Sequence, residues 1–552
     1  MTAPAATLSR TTEEFSKLGT LVASILRRDR TRLAAWFLGL VVCVAAACQA
    51  MGKMFADPTS TATEARAQIM ATPTGQAFGG PGYGIFDYTL GAIMMNEMLM
   101  STMVVMAIMS ILLVTRWTRG DEETGRGELI GAACTGRSAQ LTAAIKVGFG
   151  LNLAIALGLA AGLMAQGLEL GGSLAFGLGA GLTGWFFVGL GAVTAQIFTT
   201  NRAAAGGAMA VMGLFYLIRV AGDVGHAQQA AGDSAGSPLS WFSPFAWPTQ
   251  TRAFVELRWW PLIYSFAFAL ALAAVAAYLL HKRDFGAGLV QPKAGRAQAK
   301  ASLRSPLALN WRLEKSSFAA WAIGAGLIGL SCGFINVNTT IKNMLEGNAT
   351  LEQVWGGGGT DITNGYYAIL LMYGGVLAIA FAMNVVAHLH AAETKGLAEL
   401  QLSTPVSRPQ LMNATTVIAL AGGVVILVLT GLTLAVGAVP VNQADWWSLV
   451  QGALVLIPAL LVFVGVGLAL LGWAPKAMSL MWVYLVYALV ARLFGAVLNL
   501  PDWAVKASVL ASTPTVPAEP VTYTPLIVMT VAGAALVVFG YVGYRRRSIV
   551  TG

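Results

Sequence analysis

Arg116 to Leu141 reads RWTRGDEETGRGELIGAACTGRSAQL, and His388 to Leu411 reads HLHAAETKGLAELQLSTPVSRPQL. Shifted by 271 residues, Glu122 falls on Glu393, Gly125 on Gly396, Glu128 on Glu399, Leu129 on Leu400 and Arg137 on Arg408. Five identities in 16 positions of a polar segment mark an internal repeat at half the chain length. A second echo runs at an offset of 285, where Leu26–Trp36 (LRRDRTRLAAW) resembles Trp311–Trp321 (WRLEKSSFAAW). A longer segment after the first apolar run of the first copy absorbs most of the difference. The chain therefore divides into two tandem halves, 1–300 and 301–552.

Outward from these loops the chain is apolar. Of its 552 residues, 56% are hydrophobic and 11% charged, with a mean hydropathy of +0.68. Soluble domains carry about 25% charged residues. Apolar runs near 20 residues recur, the length that crosses a hydrocarbon core of about 30 Å. They predict helices over 33–52, 88–114, 144–166, 173–198, 203–220 and 261–280, then 317–336, 366–388, 413–437, 447–472, 479–498 and 524–544. The expected fold is an all-α polytopic membrane protein with 12 transmembrane helices in two tandem six-helix halves. Parallel repeats of this kind place a substrate path between them.

Lysine and arginine set the orientation. With the N-terminus inside, inner segments hold 26 of these residues and outer segments 6, while Arg219 and Arg492 lie within spans. Both termini are expected in the cytoplasm of a bacterial inner (plasma) membrane protein. The net charge of +9 thus reports topology and not a nucleic-acid partner. The first apolar run follows a 32-residue basic preface, which predicts a signal anchor and no cleaved peptide. Trp241, Trp247, Trp259 and Trp260, with Trp446, Trp447 and Trp503 in the second half, are expected at the membrane interface. Gly356-Gly357-Gly358-Gly359 reads as a flexible outer loop. Cys43, Cys48, Cys134 and Cys332 suggest no disulfide framework.

Transport needs an energy source. Residues 131–138 (GAACTGRS) imitate a phosphate-binding loop, but Arg137 replaces the lysine that reaches the phosphates and no strand precedes it. His388 and His390, two apart, point to different sides of a helix and do not predict a metal site. No nucleophile and base pair suggests an enzyme, so energy must come from an ion gradient or a partner. Candidate substrate-path residues are Glu97, Arg219 and Arg492, the ionisable groups inside spans. Met95 and Met98 join them, from a second helix that also carries Met94, Met100, Met103, Met106 and Met109. Local anchoring of the charges and core packing of the methionines are the alternatives. In the loop itself, Glu122 and Arg126 stand in the favourable i,i+4 order.

Arg27, Arg28, Asp29, Arg30 and Trp36 before the first helix form one recognisable pattern. Arg119, Glu122, Glu123, Gly125, Arg126, Glu128, Leu129 and Arg137 after the second form another. With Ser243, Pro244, Phe245 and Trp247, these resemble the permeases of actinobacterial ATP-binding-cassette exporters for tetronasin and other polyketide antibiotics. The second half departs from the pattern, with Thr394 at the place of Glu123 and Leu397 at that of Arg126. The resemblance implies a type-2 exporter permease and amphiphilic drug-like or antibiotic cargo. It further implies two copies of a soluble ATPase, holding ATP and magnesium, docked on loops containing Arg119, Glu122, Glu123, Gly125, Arg126, Glu128 and Arg137, and Glu393, Gly396, Glu399 and Arg408. No cofactor is expected on this chain. A major-facilitator, ion-driven drug carrier also has 6+6 spans and is the competing expectation.

Overall fold

A computed structural model describes residues 14–55, 61–71, 73–133, 135–224, 237–291, 298, 303–335, 337, 362–494 and 501–548. The glycine tract 356–359, Cys134 and the expected boundary at 300/301 lie outside these residues. The chain forms two compact units, Met1–Gly295 and Arg296–Gly552. The described elements are helices and turns throughout, the architecture of an all-α polytopic membrane protein.

In the first unit, α1 (Leu18–Arg28) leads into α2 (Arg30–Met54), followed by the short α3 (Thr61–Ala71) and α4 (Pro73–Gly79). Next come α5 (Leu90–Glu123), α6 (Arg126–Ala132), α7 (Ala139–Ala165), α8 (Leu170–Ile197), α9 (Asn201–Val224) and α10 (Pro261–Lys282). The second unit holds α11 (Pro306–Gly333), α12 (Ile362–Thr394), α13 (Leu397–Leu402), α14 (Arg408–Asn442), α15 (Trp446–Leu454) and α16 (Ile457–Trp473). It ends with α17 (Leu480–Phe494), α18 (Asp502–Ala507) and α19 (Tyr523–Arg546). Eleven stretches of described helix are long and apolar enough to cross a membrane, counting α15 and α16 as one. The span expected over 479–498 falls on α17, which has 15 residues and is followed by positions outside the described set.

Several expected ends move, each for a local reason. The second helix runs to Glu123 instead of stopping at 114, because nothing in Arg116–Glu123 breaks it before Gly125. Its 34 residues at about 1.5 Å each exceed the ~30 Å core, so one end projects beyond the apolar layer. The helix expected over 203–220 continues to Val224, where Asp223 pairs with Arg219. The helix expected over 447–472 divides at Val455 and Leu456, just before Ile457-Pro458, where the proline stands in the first turn of the new helix and has no N–H to bond back across the break.

Core packing is repeated in kind. In the first unit α8 is central, packed on α5, α7 and α10, and in the second α14 packs on α11 and α12 while α16 packs on α19. Small residues allow these close approaches, as in membrane interfaces generally. A side chain at Gly184 would collide with the Asn152 carboxamide, which bonds Ser110 across the helices. Lipid-compatible side chains such as Leu38, Val42, Ile263, Val483 and Ile527 face outward.

Within the first unit, the segments with most of the basic residues meet at one end. Arg28 reaches Asp121, the backbone N–H of Asn201 reaches Glu123, and Arg283 reaches Glu122. At the far end, Ser243–Ala253 forms a buried plug, while Leu239 and Phe242 just before it are exposed. Phe245 packs on Phe187 and Tyr216, and Trp247 on Phe186 and Phe268. Trp247 is thus a core residue and not an interfacial one, because the plug folds inward. Trp259, Trp260, Trp446, Trp447 and Trp503 are exposed.

Candidate functional site

The duplicated loops fold alike. In each, a long helix stops at a glycine with left-handed backbone, Gly125 (φ 72°) and Gly396 (φ 71°). Each glycine N–H donates three residues back, to Glu122 at 3.1 Å and to Glu393 at 2.9 Å. Glycine adopts this conformation without the steric cost of a Cβ. A short helix then leaves in a new direction, α6 in one unit and α13 in the other.

Beneath each short helix sits the same clamp. Glu122 accepts from Arg283 at 2.5 and 3.0 Å, and Glu393 accepts from Arg547 at 2.5 Å. Arg137 donates to the Arg283 carbonyl at 2.7 Å, and Arg408 to the Arg547 carbonyl at 2.7 Å. Arg283 follows α10 and Arg547 follows α19, the last helix of each unit. The repeated glutamate and arginine therefore grip one arginine from both sides, by its side chain and by its backbone. Arg119 strengthens the first clamp, bonding Glu122 at 2.8 Å and the Ala195 carbonyl. The two carboxylates are nearly closed to solvent, and their charge-assisted bonds are roughly twice as strong as neutral ones.

A second repeated contact fixes the helix just above. The Trp117 ring N–H donates to buried Asp29 at 2.8 Å, and His388 meets buried Glu314 at 2.6 Å. Trp117 and His388 stand 271 residues apart, and Asp29 and Glu314 stand 285 apart, the two repeat offsets. The His388–Glu314 contact gives the histidine a helix-anchoring role that the metal question had passed over.

The expected Glu122–Arg126 pair does not form. The chain breaks at Gly125, so i,i+4 geometry is not maintained, and Arg126 instead pairs with Asp121 at 3.1 Å. Arg119 and Glu393 are buried and the Glu122 side chain is nearly so, and these hold the loops in place, whereas Glu123, Arg126, Glu128 and Glu399 are exposed. Leu129 is 75% and Leu400 68% exposed, a matching Glu-Leu pair on each short helix. A cavity of 330 Å³ between α6 and the end of α10 includes Glu122, Ile130, Arg137 and Phe285 in its wall. In the phosphate-loop imitation, the Gly136 and Ser138 N–H groups donate to the Ser16 and Glu14 carbonyls, and Arg137 serves the clamp.

The substrate-path candidates separate. Met95 is buried in the first unit's core and Met98 half-buried at its edge; Met94, Met100, Met103, Met106 and Met109 are buried with Met95. Glu97 takes Arg66 of α3 in a two-pronged pair and accepts from Tyr88 at 3.1 Å. Burial, and then the adjacent Glu97 charge, push the Tyr88 phenol up, so it stays a neutral donor. Arg219 is buried, bonded to Asp223 at 2.7 Å and to the Gln76 and Ala77 carbonyls at 2.6 Å. Arg492, in contrast, lines a cavity.

The sequence reading missed Arg283 and Arg547, which it counted only as topology charges. Their signal was position: each stands directly after the last apolar run of its half.

Long apolar helices in two units, each with a charged turn clamped at one end, define a multi-pass membrane protein. Residues 303–545 match the family described as multidrug efflux system permease Rv1217c, C-terminal domain. Over 534 residues the chain is 33% identical to the multidrug efflux system permease protein Rv1217c of Mycobacterium tuberculosis (strain ATCC 25618 / H37Rv). The alignment covers 96% of this chain and 94% of that relative. The chain belongs to this family of efflux permeases and is a transport subunit in kind.

Proposed function

We propose that the chain is the membrane subunit of an ATP-driven exporter, with α6 and α13 each receiving one separate soluble ATPase subunit. The observation that carries this is the pair of matching short helices, each presenting Glu-Leu to solvent from a turn fixed by a buried clamp. An exposed leucine beside a carboxylate on a rigid element suits a docking surface, where a buried apolar anchor is rimmed by charge. A turn clamped to the last helix of its unit would pass a push from the partner into the bundle.

In this reading the ATPases bind ATP and magnesium, and this chain holds no nucleotide. Both termini and both short helices face the cytoplasm of a bacterial inner membrane. The earlier resemblance and the multidrug name of the relative favour amphiphilic, drug- or antibiotic-like cargo and a type-2 permease arrangement of halves 1–300 and 301–552. Of the docking residues expected from the sequence, Glu123, Arg126, Glu128 and Glu399 are placed to touch a partner. Arg119, Glu122, Arg137, Glu393 and Arg408 act through loop position.

The test is co-purification of the ATPase with variants of the exposed pair. Glu128→Lys with Leu129→Asp should release the ATPase from one loop, and Glu399→Lys with Leu400→Asp from the other. All four substitutions together should abolish association while the permease stays folded. A quadruple variant that keeps full ATPase binding would refute these docking sites.

A further inference from the structure

We propose that a cavity in the second unit, built around Arg492, binds the anionic head of an amphiphile. The cavity has a volume of 240 Å³ and lies where α12, the α15–α16 break and the segment Leu510–Val516 meet the end of α17. Its wall is apolar, with Leu371, Met372, Leu456 and Leu510, relieved by the hydroxyls of Thr513 and Thr515. Arg492 is the single ionisable residue in that wall. Among the described residues no carboxylate lies within ion-pair distance of it, and Glu519 acts on it only from farther away.

In the first unit, Arg219 shows what a satisfied buried arginine looks like. Arg219 has Asp223 four residues on and two backbone carbonyls besides. Four residues after Arg492 the sequence has Ala496. Arg492 stands twelve residues beyond the start of the apolar α17, about 18 Å along its axis and two residues before its last, Phe494. A guanidinium in so apolar a wall, with no carboxylate at ion-pair distance among the described residues, is costly, and an arriving carboxylate or phosphate would form the charge-assisted bonds that Arg219 finds inside its own unit. The volume is below the roughly 300–1,000 Å³ of drug-sized pockets, so the site takes the head and first carbons of a ligand. Only the identification of that ligand as cargo rests on the efflux reading; the binding itself involves no ATPase and is tested without one.

The experiment is equilibrium binding of radiolabelled decanoate to the full chain in phosphatidylcholine nanodiscs, with unlabelled competitors. Decanoate should displace the label at least about tenfold better than methyl decanoate or decylamine. Arg492→Gln should weaken decanoate binding by a similar factor, and Arg492→Lys should retain most of it. Ala368→Leu keeps the cation but fills the cavity, and should weaken binding even if Arg492→Gln fails to fold. Discs containing phosphatidylglycerol separate the two sources of anion: displacement assigns the head group to lipid, its absence to a free carboxylate, and either supports the site. Equal competition by the ester, or unchanged affinity in folded Arg492→Gln and Ala368→Leu, would overturn it.

Discussion

Glu122 and Glu393 occupy one place in two copies but not one environment. Glu122 neutralises both Arg119 and Arg283, whereas Glu393 faces Arg547, which is partly exposed. Removing one partner of a buried pair costs about 3–5 kcal/mol, because the stranded charge stays buried. Glu122→Gln strands two cations, so it should lower the thermal stability of the purified protein more than Glu393→Gln. The reverse order of melting temperatures would contradict the clamp as described. The sequence showed that these glutamates repeat; it did not show what they hold. Arg283 and Arg547 are 161 and 154 residues from their partners, beyond any local pattern. Met95 and its neighbours were ambiguous for another reason: methionine suits a packed core and a ligand surface equally, and periodicity does not choose between them.

At the scale of the element, α6 and α13 depend on the turn that precedes them. Gly125 and Gly396 have open space around them, so a small side chain there meets no neighbour. The cost of a β-branched residue is then almost wholly conformational, about 1–2 kcal/mol for a left-handed backbone. Gly125→Val and Gly396→Val should therefore leave the membrane helices intact yet reorient the short helices. The expected outcome is a near-normal melting temperature together with reduced co-purification of the ATPase. Unchanged co-purification in both variants would mean that helix direction does not matter for docking. The long helices themselves were legible from hydrophobicity, since crossing lipid demands about 20 apolar residues. Their polar ends were not: the second helix runs on through Asp121, Glu122 and Glu123, where charge suggested a loop. The α15–α16 break also follows from Pro458, which the reading of one unbroken apolar run passed over.

For the whole molecule, the repeat, the two units and the kinship to an efflux permease describe a transport body that must be driven from somewhere. Among the described residues, Glu97 and Arg219 are occupied by internal partners, Arg66 and Asp223. In the proposed reading, energy enters through the clamped turns, from ATP hydrolysed on a partner. The most direct measurement is uptake of a fluorescent amphiphilic drug into inverted membrane vesicles containing the permease with its ATPase. The account predicts uptake that requires hydrolysable ATP, fails with a hydrolysis-deficient ATPase and survives a protonophore. Uptake driven by an imposed proton gradient without ATP, and abolished by the protonophore, would contradict it.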